Sequence, residues 1–455
     1  MALATIPSVL VRRHGRPLAA LSWILALLTI PFGGVFGWWL LGRTHLRRKT
    51  AERQASSARI CKACPFPVST VKELDSDLRQ MLPFAVQGRR WKEGVFPPAS
   101  GTGIQVFGDG LLAFTAMEEA IDNARHEIRL LFYIWNVDET GRRFAKKLIE
   151  RSRSGVSIRV LLDGFGCRPF LRILAPSMRQ AGIEIESFAS HFWTPTWNFR
   201  NHRKLLLVDG SSAFTGGMNI GSEYELDWRD LMLEFHGAVV YNLDDVFRED
   251  WGYACGRTLD RIRGGLAEVS DRQTGVCTVV ASGPDRSRNR VHDGFFLSIS
   301  SARARVWLSS PYFIPSPPIT ASLCGAAQRG VDVRLLLPHR GQFDLLGLVA
   351  QSYLPDLIDE GVRVFEYLPR FLHAKSLIVD DRMAFVGSAN TDSRSFRLNF
   401  ELGCFIQSHE VNSSLSELYE SNLSESVEIR AIDLASRPIW MTCMESAAQL
   451  LSPLL

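Results

Sequence analysis

The sequence predicts an α/β protein with two similar lobes related by a pseudo-twofold axis, each a mixed sheet flanked by helices, behind an N-terminal membrane segment. Three observations support this prediction. A pattern of polar residues occurs twice at a constant offset of 171 residues. Apolar runs of strand and helix length alternate within each copy. An uncharged run of 26 residues, 17–42, precedes both copies.

The repeated pattern is HxKxxxxD, and it is the strongest functional signal in the chain. Its members are His202, Lys204 and Asp209 in the first copy and His373, Lys375 and Asp380 in the second. At the same offset Gly216 matches Gly387, Asn219 matches Asn390, and Asp230 matches Glu401. Packing alone would repeat apolar residues, whereas it has no use for His, Lys and Asn at fixed offsets. We interpret the two copies as one active site built twice.

Composition sets limits on the whole chain. With 455 residues, 46% of them hydrophobic and 22% charged, the sequence suffices for two ordinary domains. A net charge of +4 is too small to indicate nucleic-acid binding, so we expect no nucleic-acid partner. The eight cysteines form no disulfide framework. Cys61 and Cys64 make a lone CxxC, which is either a zinc or redox site or, as we favour, two reduced thiols in a linker.

The changes in composition along the chain predict five segments. A proline-containing connector follows the N-terminal segment, and the final residues carry no functional signal. The segments are an anchor with basic flanks (1–50), a connector (51–100), a first lobe (101–265), a second lobe (266–430) and a C-terminal tail (431–455).

The N-terminal run can reach the interior of a membrane. As one helix it would be about 39 Å long, against a hydrocarbon core of about 30 Å. The run is interrupted by Pro31-Phe-Gly33-Gly34, and both of its flanks are basic. These features leave a single span, a bent or re-entrant segment with both ends in the cytoplasm, and a cleavable signal peptide as alternatives. All three involve the membrane.

Each lobe is predicted to alternate strands and helices. The helices before Gly155 and Gly330 should end at these glycines, each of which leads into a buried strand. In the first lobe we expect a strand at 105–107, a turn at Asp109-Gly110, a helix at 114–124, a strand at 127–135, a helix at 141–152 and a strand at 157–162. In the second we expect a helix before Ala304, a strand at 306–310, a helix at 319–328 and a strand at 331–337.

The repeated residues suit the chemistry of a tetrahedral anion. His and Lys occupy alternate positions of an apolar strand, so both side chains should point to one face. Two ammonium groups give point charges to phosphate oxygens, while Asn219 and Asn390 add neutral donors, and no metal or cofactor is required. Neutral imidazole can attack phosphorus and imidazolium can protonate a leaving oxygen, so two histidines can divide these roles.

The acidic residues of the repeats have two expected roles. Asp230 and Glu401 each lie 28 residues after the histidine of their own repeat. We expect each carboxylate to bind the far ring nitrogen of that histidine and fix its tautomer. Asp209 and Asp380 are also catalytic candidates, although each opens a turn and could serve to end the strand.

The two motifs, followed by Gly216-Gly217-Met218-Asn219 and by Gly387-Ser388-Ala389-Asn390, resemble the phospholipase D superfamily. Within it the chain is most similar to the bacterial cardiolipin synthases, through strings such as Trp228-Arg229-Asp230 and Pro311-Tyr312-Phe313. The resemblance covers residues 101–430 and adds Ser388 to the phosphate-binding or supporting residues. It departs from the family at the N-terminus, where many members carry two spans, and at 339–344, where a Lys-rich string is usual.

The resemblance implies two phospholipase D-like lobes and a phosphatidyl transfer through a phosphohistidine. His202 would attack phosphatidylglycerol while His373 protonates the departing glycerol and then activates a second phosphatidylglycerol, giving cardiolipin. The enzyme would lie at the bacterial inner membrane with its lobes in the cytoplasm. Alternatives are hydrolysis to phosphatidic acid and transfer to another acceptor. A nuclease is disfavoured by the apolar N-terminus, and an inactive scaffold by the complete motifs in both repeats.

Overall fold

A computed structural model of the protein describes residues 1–13, 17–39, 79, 82–83, 93–188, 199–265, 273–286, 288–339, 344–450 and 452. Cys61 and Cys64, and most of the predicted connector, lie outside these residues. Within them the two lobes share one mixed sheet with helices packed on both faces.

The strands of the first lobe are β1 (Ala99–Phe107), β2 (Glu127–Phe132), β3 (Ser157–Asp163), β4 (Glu184–Phe188), β5 (Leu205–Val208), β6 (Ser212–Gly216), β7 (Trp228–Arg229) and β8 (Met232–His236). Those of the second lobe are β9 (Gln273–Ser282), β10 (Arg305–Ser309), β11 (Asp332–Pro338), β12 (Arg363–Tyr367), β13 (Phe371–Leu372), β14 (Ser376–Val379), β15 (Met383–Gly387), β16 (Glu401–Gln407) and β17 (Ser426–Ile429).

Three helices lie at the N-terminus: α1 (Ala2–Arg12), α2 (Pro17–Thr29) and α3 (Pro31–Gly37). The first lobe contributes α4 (Gly110–Asn123), α5 (Glu139–Arg153), α6 (Arg168–Ile173), α7 (Ala175–Gln180), a π-helical turn (Glu223–Asp227) and α8 (Val239–Cys255). The remaining helices are α9 (Arg290–Ser301), α10 (Pro317–Gln328), α11 (Leu345–Gln351), α12 (Leu354–Asp359), α13 (Ser393–Arg397), α14 (His409–Ser424), α15 (Ala431–Ala435) and α16 (Ile439–Gln449).

In the part of the chain that the structure describes, the main sheet has 15 strands in the order β17-β12-β11-β10-β14-β15-β16-β9-β1-β8-β6-β5-β2-β3-β4. The two lobes meet where β1 pairs antiparallel with β9, and seven strands follow the same order on either side of this junction, with β17 added at the outer edge of the second lobe. The outer strands β2, β3 and β4 are parallel, as are β10, β11 and β12. The predicted duplication is thus a pair of half-sheets joined edge to edge.

The predicted elements of both lobes are confirmed, with shifts of a few residues at their ends. Asp109 caps α4, its carboxylate accepting from the Leu112 N–H at 3.3 Å, so the helix begins earlier than the apolar pattern indicated. Gly155 and Gly330 adopt φ values of +95° and +84°, the left-handed conformation expected after a helix. β1 begins at Ala99 because its first residues pair with β9.

Three apolar cores hold the helices on the sheet. One core runs across both lobes on one face, where α8 and α14 cover the central strands. On the other face, α4 to α7 pack on the first lobe and α9, α10 and α12 pack on the second. The common core fixes the position of one lobe relative to the other, which is what places residues from both lobes in one site.

The N-terminal apolar run does not form one straight helix. It divides into α2 and α3 at Ile30, whose backbone leaves the helical conformation immediately before Pro31. Val9, Leu27 and Trp38 pack together among the three N-terminal helices. Among the residues that the structure describes, no helix is both long enough and apolar enough to cross a membrane.

Candidate active site

The two histidine segments reach the site by pairing with the opposite lobe. The His202 N–H donates to the carbonyl of Phe400 at 2.9 Å, one residue before Glu401. In the same way β13 pairs with β7, and the His373 N–H donates to the carbonyl of Arg229 at 2.7 Å. Each histidine therefore lies beside the segment that leads to the carboxylate of the other repeat.

Because of this pairing, each histidine contacts the carboxylate of the other lobe and not that of its own lobe. His202 Nδ1 lies 3.0 Å from Glu401 Oε2, and His373 Nδ1 lies 2.5 Å from Asp230 Oδ2. The prediction that each carboxylate holds the histidine of its own repeat is wrong, because the strands cross over at the interface. Both rings have Nδ1 on a carboxylate, so Nδ1 carries the hydrogen and Nε2 keeps its lone pair.

Ser388 and Asn399 hold Glu401 in place. The Ser388 hydroxyl donates to the Glu401 carboxylate and accepts from the Leu402 N–H at 3.0 Å. Asn399 Nδ2 donates to the other carboxylate oxygen at 3.1 Å, and the Ser388 carbonyl lies 3.1 Å from His202 Nδ1. Ser388 therefore contacts the histidine–carboxylate pair itself, and this contact gives it a supporting position in the site.

The two lysines are fully buried beside the histidines. Lys204 Nζ donates to the carbonyl of His202 at 2.6 Å, and Lys375 Nζ donates to the carbonyl of His373. Burial lowers the pKa of Lys204 to about 7 and that of Lys375 to about 8. A cation removed from water is stabilised by a nearby anion, so this site favours an anionic ligand.

Burial also sets the charge of the histidine–carboxylate pairs. It lowers the pKa of His202, and it lowers that of His373 to about 3 with the help of the Lys375 charge. Burial alone would raise the pKa of Asp230 and of Glu401, but the neighbouring lysine and histidine hold both below their ordinary values. In the free protein the imidazoles are neutral and the carboxylates ionised.

The asparagines have different surroundings. Asn219 Oδ1 accepts from the Ile134 N–H at 3.0 Å, and its Nδ2 donates to Tyr224 Oη at 2.9 Å, which leaves one amide hydrogen for a ligand. The Asn390 side chain hydrogen bonds to Asp392, and its Oδ1 is buried without a hydrogen-bond partner among the described residues. Each asparagine thus keeps an unused polar atom, an amide hydrogen on Asn219 and the Oδ1 of Asn390.

Aromatic side chains that the sequence did not single out for this role surround the histidines. The Tyr133 ring lies 4.8 Å from the His202 ring, and the Trp228 ring lies 4.8 Å from the His373 ring. Tyr224 packs against both Trp228 and His373. His202 and His373 are only 9% and 5% exposed, so the aromatic rings help to keep water away from the site. Aromatic residues usually pack in the core, so the sequence carries no signal for these contacts.

Asp209 and Asp380 are not in the site. In each repeat the lysine precedes the first residue of the strand and the aspartate follows the last one, so the two side chains lie at opposite ends. Each aspartate adopts φ near +50°, and its carboxylate binds backbone N–H groups. Their catalytic assignment is corrected to a structural one, since these contacts join the end of one strand to the start of another. The donors are Arg125, His126 and Glu127 for Asp209, and Arg303, Ala304 and Arg305 for Asp380.

The comparison with known proteins agrees with this geometry. A family model described as "Cardiolipin synthase, PLD-like domain" matches residues 117–251 and 296–423. The chain belongs to this cardiolipin synthase family. The two matched regions each contain one histidine–lysine pair, as the duplication requires.

Relatives in the cardiolipin synthase family extend over nearly the whole chain. A cardiolipin synthase of Halalkalibacterium halodurans is 33% identical, covering 97% of this chain and 90% of the relative. One from a Geobacillus species is 32% identical over 99% of this chain and 91% of the relative. The crystal structure of phosphatidylserine synthase from Haemophilus influenzae has a TM-score of 0.59 at 14% identity, covering 77% of this chain and 95% of that one. This last likeness shows the fold alone.

The lowered lysine pKa values predict how the activity of this family member depends on pH. The charged lysines attract an anionic substrate, so kcat/KM should fall as pH rises through about 7 and about 8, where Lys204 and Lys375 lose their protons. Measuring kcat/KM against pH checks this. Lys204→Arg is the control, because a guanidinium stays charged over this range. In this variant the decline should move to higher pH, whatever the absolute rate of the variant. An unchanged kcat/KM through this range would contradict the prediction.

Proposed function

We propose that the protein is a membrane-bound phosphatidyltransferase that makes cardiolipin and glycerol from two molecules of phosphatidylglycerol. The observation that carries the proposal is the pair of buried histidines, each with Nδ1 on a carboxylate of the other lobe and each beside a buried lysine. A phosphodiester is the anion that two such histidines can cleave without a metal. The membership of the family supports the choice of a phospholipid.

In the first step His202 Nε2 attacks the phosphorus of phosphatidylglycerol. A phosphorus–nitrogen bond forms while the bond to the glycerol oxygen breaks, and His373 gives its proton to that oxygen. Lys204 and Lys375 balance the negative charge of the phosphoryl oxygens. Glu401 stabilises the positive charge that develops on His202, since its carboxylate holds Nδ1–H.

In the second step His373, now neutral, takes the proton from a hydroxyl of the second phosphatidylglycerol. That oxygen attacks phosphorus, the phosphorus–nitrogen bond breaks, and cardiolipin is released. His202 is neutral again and His373 is again protonated, so the cycle closes without another reactant. The Asp230 carboxylate stabilises the imidazolium form of His373 at each stage.

His373 must take up a proton from water when the substrate binds, and it returns that proton to water when the product leaves. In the free protein burial lowers the pKa of His373 to about 3, so the ring is neutral at ordinary pH. An anionic phosphodiester beside the ring favours imidazolium, because opposite charges at close range raise the pKa of a base. Substrate entry therefore converts His373 into the general acid that the first step needs.

A product assay tests the proposed reaction. Purified protein is incubated with phosphatidylglycerol in bilayers, and lipid and glycerol products are resolved. Equal amounts of cardiolipin and glycerol are expected. Phosphatidic acid without cardiolipin would show that water is the acceptor, and a different phosphatidyl product after adding another alcohol or lipid would show a broader acceptor range. Either result in the absence of cardiolipin contradicts the proposal.

The division of roles between the histidines gives a separate prediction. A phosphatidyl ester of p-nitrophenol needs no proton to leave, so His373→Ala should still release nitrophenolate in a burst and retain labelled phosphatidyl group after rapid quenching. His202→Ala should give neither burst nor label, because it lacks the nucleophile. Label retained on the His202 variant and absent from the His373 variant would reverse the assignment.

The N-terminal helices support attachment to the membrane. α2 contains no charged residue and exposes Leu21, Leu25 and Leu28 at 62%, 60% and 55%. Phe32 and Phe36 of α3 are exposed at 88% and 69%. At about 20 Å, α2 is shorter than the hydrocarbon core of about 30 Å, so a bent segment that enters from one side is favoured over a straight span. The basic residues that flank this segment favour an orientation with the lobes in the cytoplasm, at the bacterial inner membrane.

The exposed face of α2 can be tested directly. Replacing Leu21, Leu25 and Leu28 together by Ser should greatly reduce cosedimentation with phosphatidylglycerol vesicles, because it removes the apolar surface that enters the lipid. The matched control replaces Leu111 and Leu112 by Ser. These two residues are exposed at 53% and 61% in α4 of the first lobe. Equal loss of vesicle binding in both variants would contradict the assignment of the membrane contact to α2.

A further inference from the structure

We infer that Arg203 and Asp250 form a positioning pair that holds Glu401 against His202, and that this device serves only one of the two histidines. The inference rests on the proposed function, since it assigns the pair to the half-reaction of His202. Arg203 lies between His202 and Lys204 in the chain, whereas Asp250 lies near the end of α8.

The Arg203 guanidinium joins the two lobes. Its Nη1 donates to both carboxylate oxygens of Asp250, at 2.6 and 2.7 Å. Its Nε donates to the backbone carbonyl of Glu401 at 3.1 Å, and its Nη2 donates to that of Ser282 at 2.9 Å. Glu401 and Ser282 are register partners in β16 and β9, so one side chain of the first lobe holds two adjacent strands of the second.

These contacts close a ring around the first histidine. From His202 the chain leads to Arg203, whose Nε binds the backbone of Glu401, and the Glu401 side chain returns to His202 Nδ1. A shift of the Glu401 backbone would move the carboxylate that orients the imidazole. Arg203 therefore sets the position of the carboxylate and, through it, the direction of Nε2.

Asp250 anchors the residues on both sides of His202. In addition to Arg203, it accepts from Asn201 Nδ2 at 2.9 Å. The Asn201 N–H donates to Asp163 Oδ2 at 3.1 Å, which ties the same segment to the end of β3. The backbone that carries His202 is thus fixed at its preceding and following residues, and it has little freedom to rotate the ring out of place.

The energetics of buried ion pairs favour a geometric role for this one. The Arg203 and Asp250 side chains are 1% and 0% exposed. Removing two charges from water costs about as much as their attraction returns, so such a pair adds little to stability compared with apolar residues of the same size. The planar guanidinium does fix orientation, which apolar side chains would not, because its Nη1, Nε and Nη2 bind three separate groups.

The duplication shows that the pair serves His202 alone. At the offset of 171 residues, Arg203 corresponds to Ala374 and Asp250 to Ser421, neither of which can form an ion pair. His, Lys, Asn and the carboxylate are kept in both repeats, but the positioning pair is present in one. Under the proposed function His202 forms the phosphorus–nitrogen bond, and an in-line attack is sensitive to misplacement by about 1 Å, which can cost about 100-fold in rate.

Kinetics of matched variants test the inference. Arg203→Lys keeps the charge but cannot hold Asp250 and two carbonyls at once, so kcat should fall about 10- to 100-fold with KM within about twofold. The control is Arg129→Lys, because Arg129 forms another buried ion pair in the first lobe, 2.7 Å from Asp244, with side chains 2% and 0% exposed. It contacts neither histidine, and its kcat should stay within about twofold of the original protein. Equal losses in the two variants would overturn the inference.

The ring hydrogens provide a readout that does not depend on turnover. In protein labelled with 15N-histidine, the Nδ1–H signals of His202 and His373 are assigned by their absence in His202→Gln and His373→Gln. Arg203→Lys should shift the His202 signal and leave that of His373 unchanged, while Arg129→Lys should shift neither. Signals that move together, or a His202 signal that does not move, would contradict a positioning role.

Asp250→Asn provides a second variant if Arg203→Lys does not fold. It keeps the size of the side chain and an oxygen for Asn201, and it should give the same selective shift of the His202 signal and the same loss of kcat. Failure of the proposed function is a distinct result: the original protein would then make no cardiolipin, whether or not the His202 signal responds to Arg203→Lys.

Discussion

The site depends on one constraint, which is that the histidine of each repeated motif is oriented by a carboxylate from the other lobe. His202 binds Glu401 and His373 binds Asp230. Neither lobe alone holds both members of either pair, so the junction of β1 with β9 and the core shared by both lobes are required to orient these two histidines as well as for stability. The crossing explains why the interface is continuous sheet and buried core, since a loose interface would let each histidine drift from its carboxylate.

Burial gives these groups their reactivity. Two lysines, two carboxylates and two imidazoles lie together almost without solvent, and burial pushes the lysines and histidines toward their neutral forms. In the proposed cycle an arriving phosphodiester supplies the negative charge that favours the protonated forms, so binding of the substrate activates the acid. The protein thus needs no metal in the proposed cycle, because preorganised charges do the work of stabilising the phosphoryl oxygens. Tyr133 and Trp228 pack against the two histidines, and under the proposed function they exclude water that would compete with the lipid hydroxyl.

Much of this arrangement could be predicted from the sequence, because the duplication repeats polar residues that core packing does not require. His202, Lys204 and their second copies could be placed in one site, and the alternation of strands and helices gave the lobes. The crossed pairing could not be predicted, because a spacing of 28 residues fits a contact within a repeat or between repeats equally well. Asp209 belongs to the motif, but its carboxylate binds backbone N–H groups. A motif alone does not distinguish this structural role from a catalytic one. Arg203 belongs to one repeat only, so a search for shared residues passes over it.

The stereochemical course at phosphorus tests the central claim, a double displacement in one site built from both lobes. Phosphatidylglycerol made chiral at phosphorus with oxygen isotopes is converted by the protein, and the configuration of the cardiolipin is determined. Attack by His202 followed by attack of the acceptor hydroxyl comprises two in-line displacements and predicts retention of configuration. Inversion would mean that the hydroxyl attacks phosphatidylglycerol directly, which would contradict the division of roles between the two histidines.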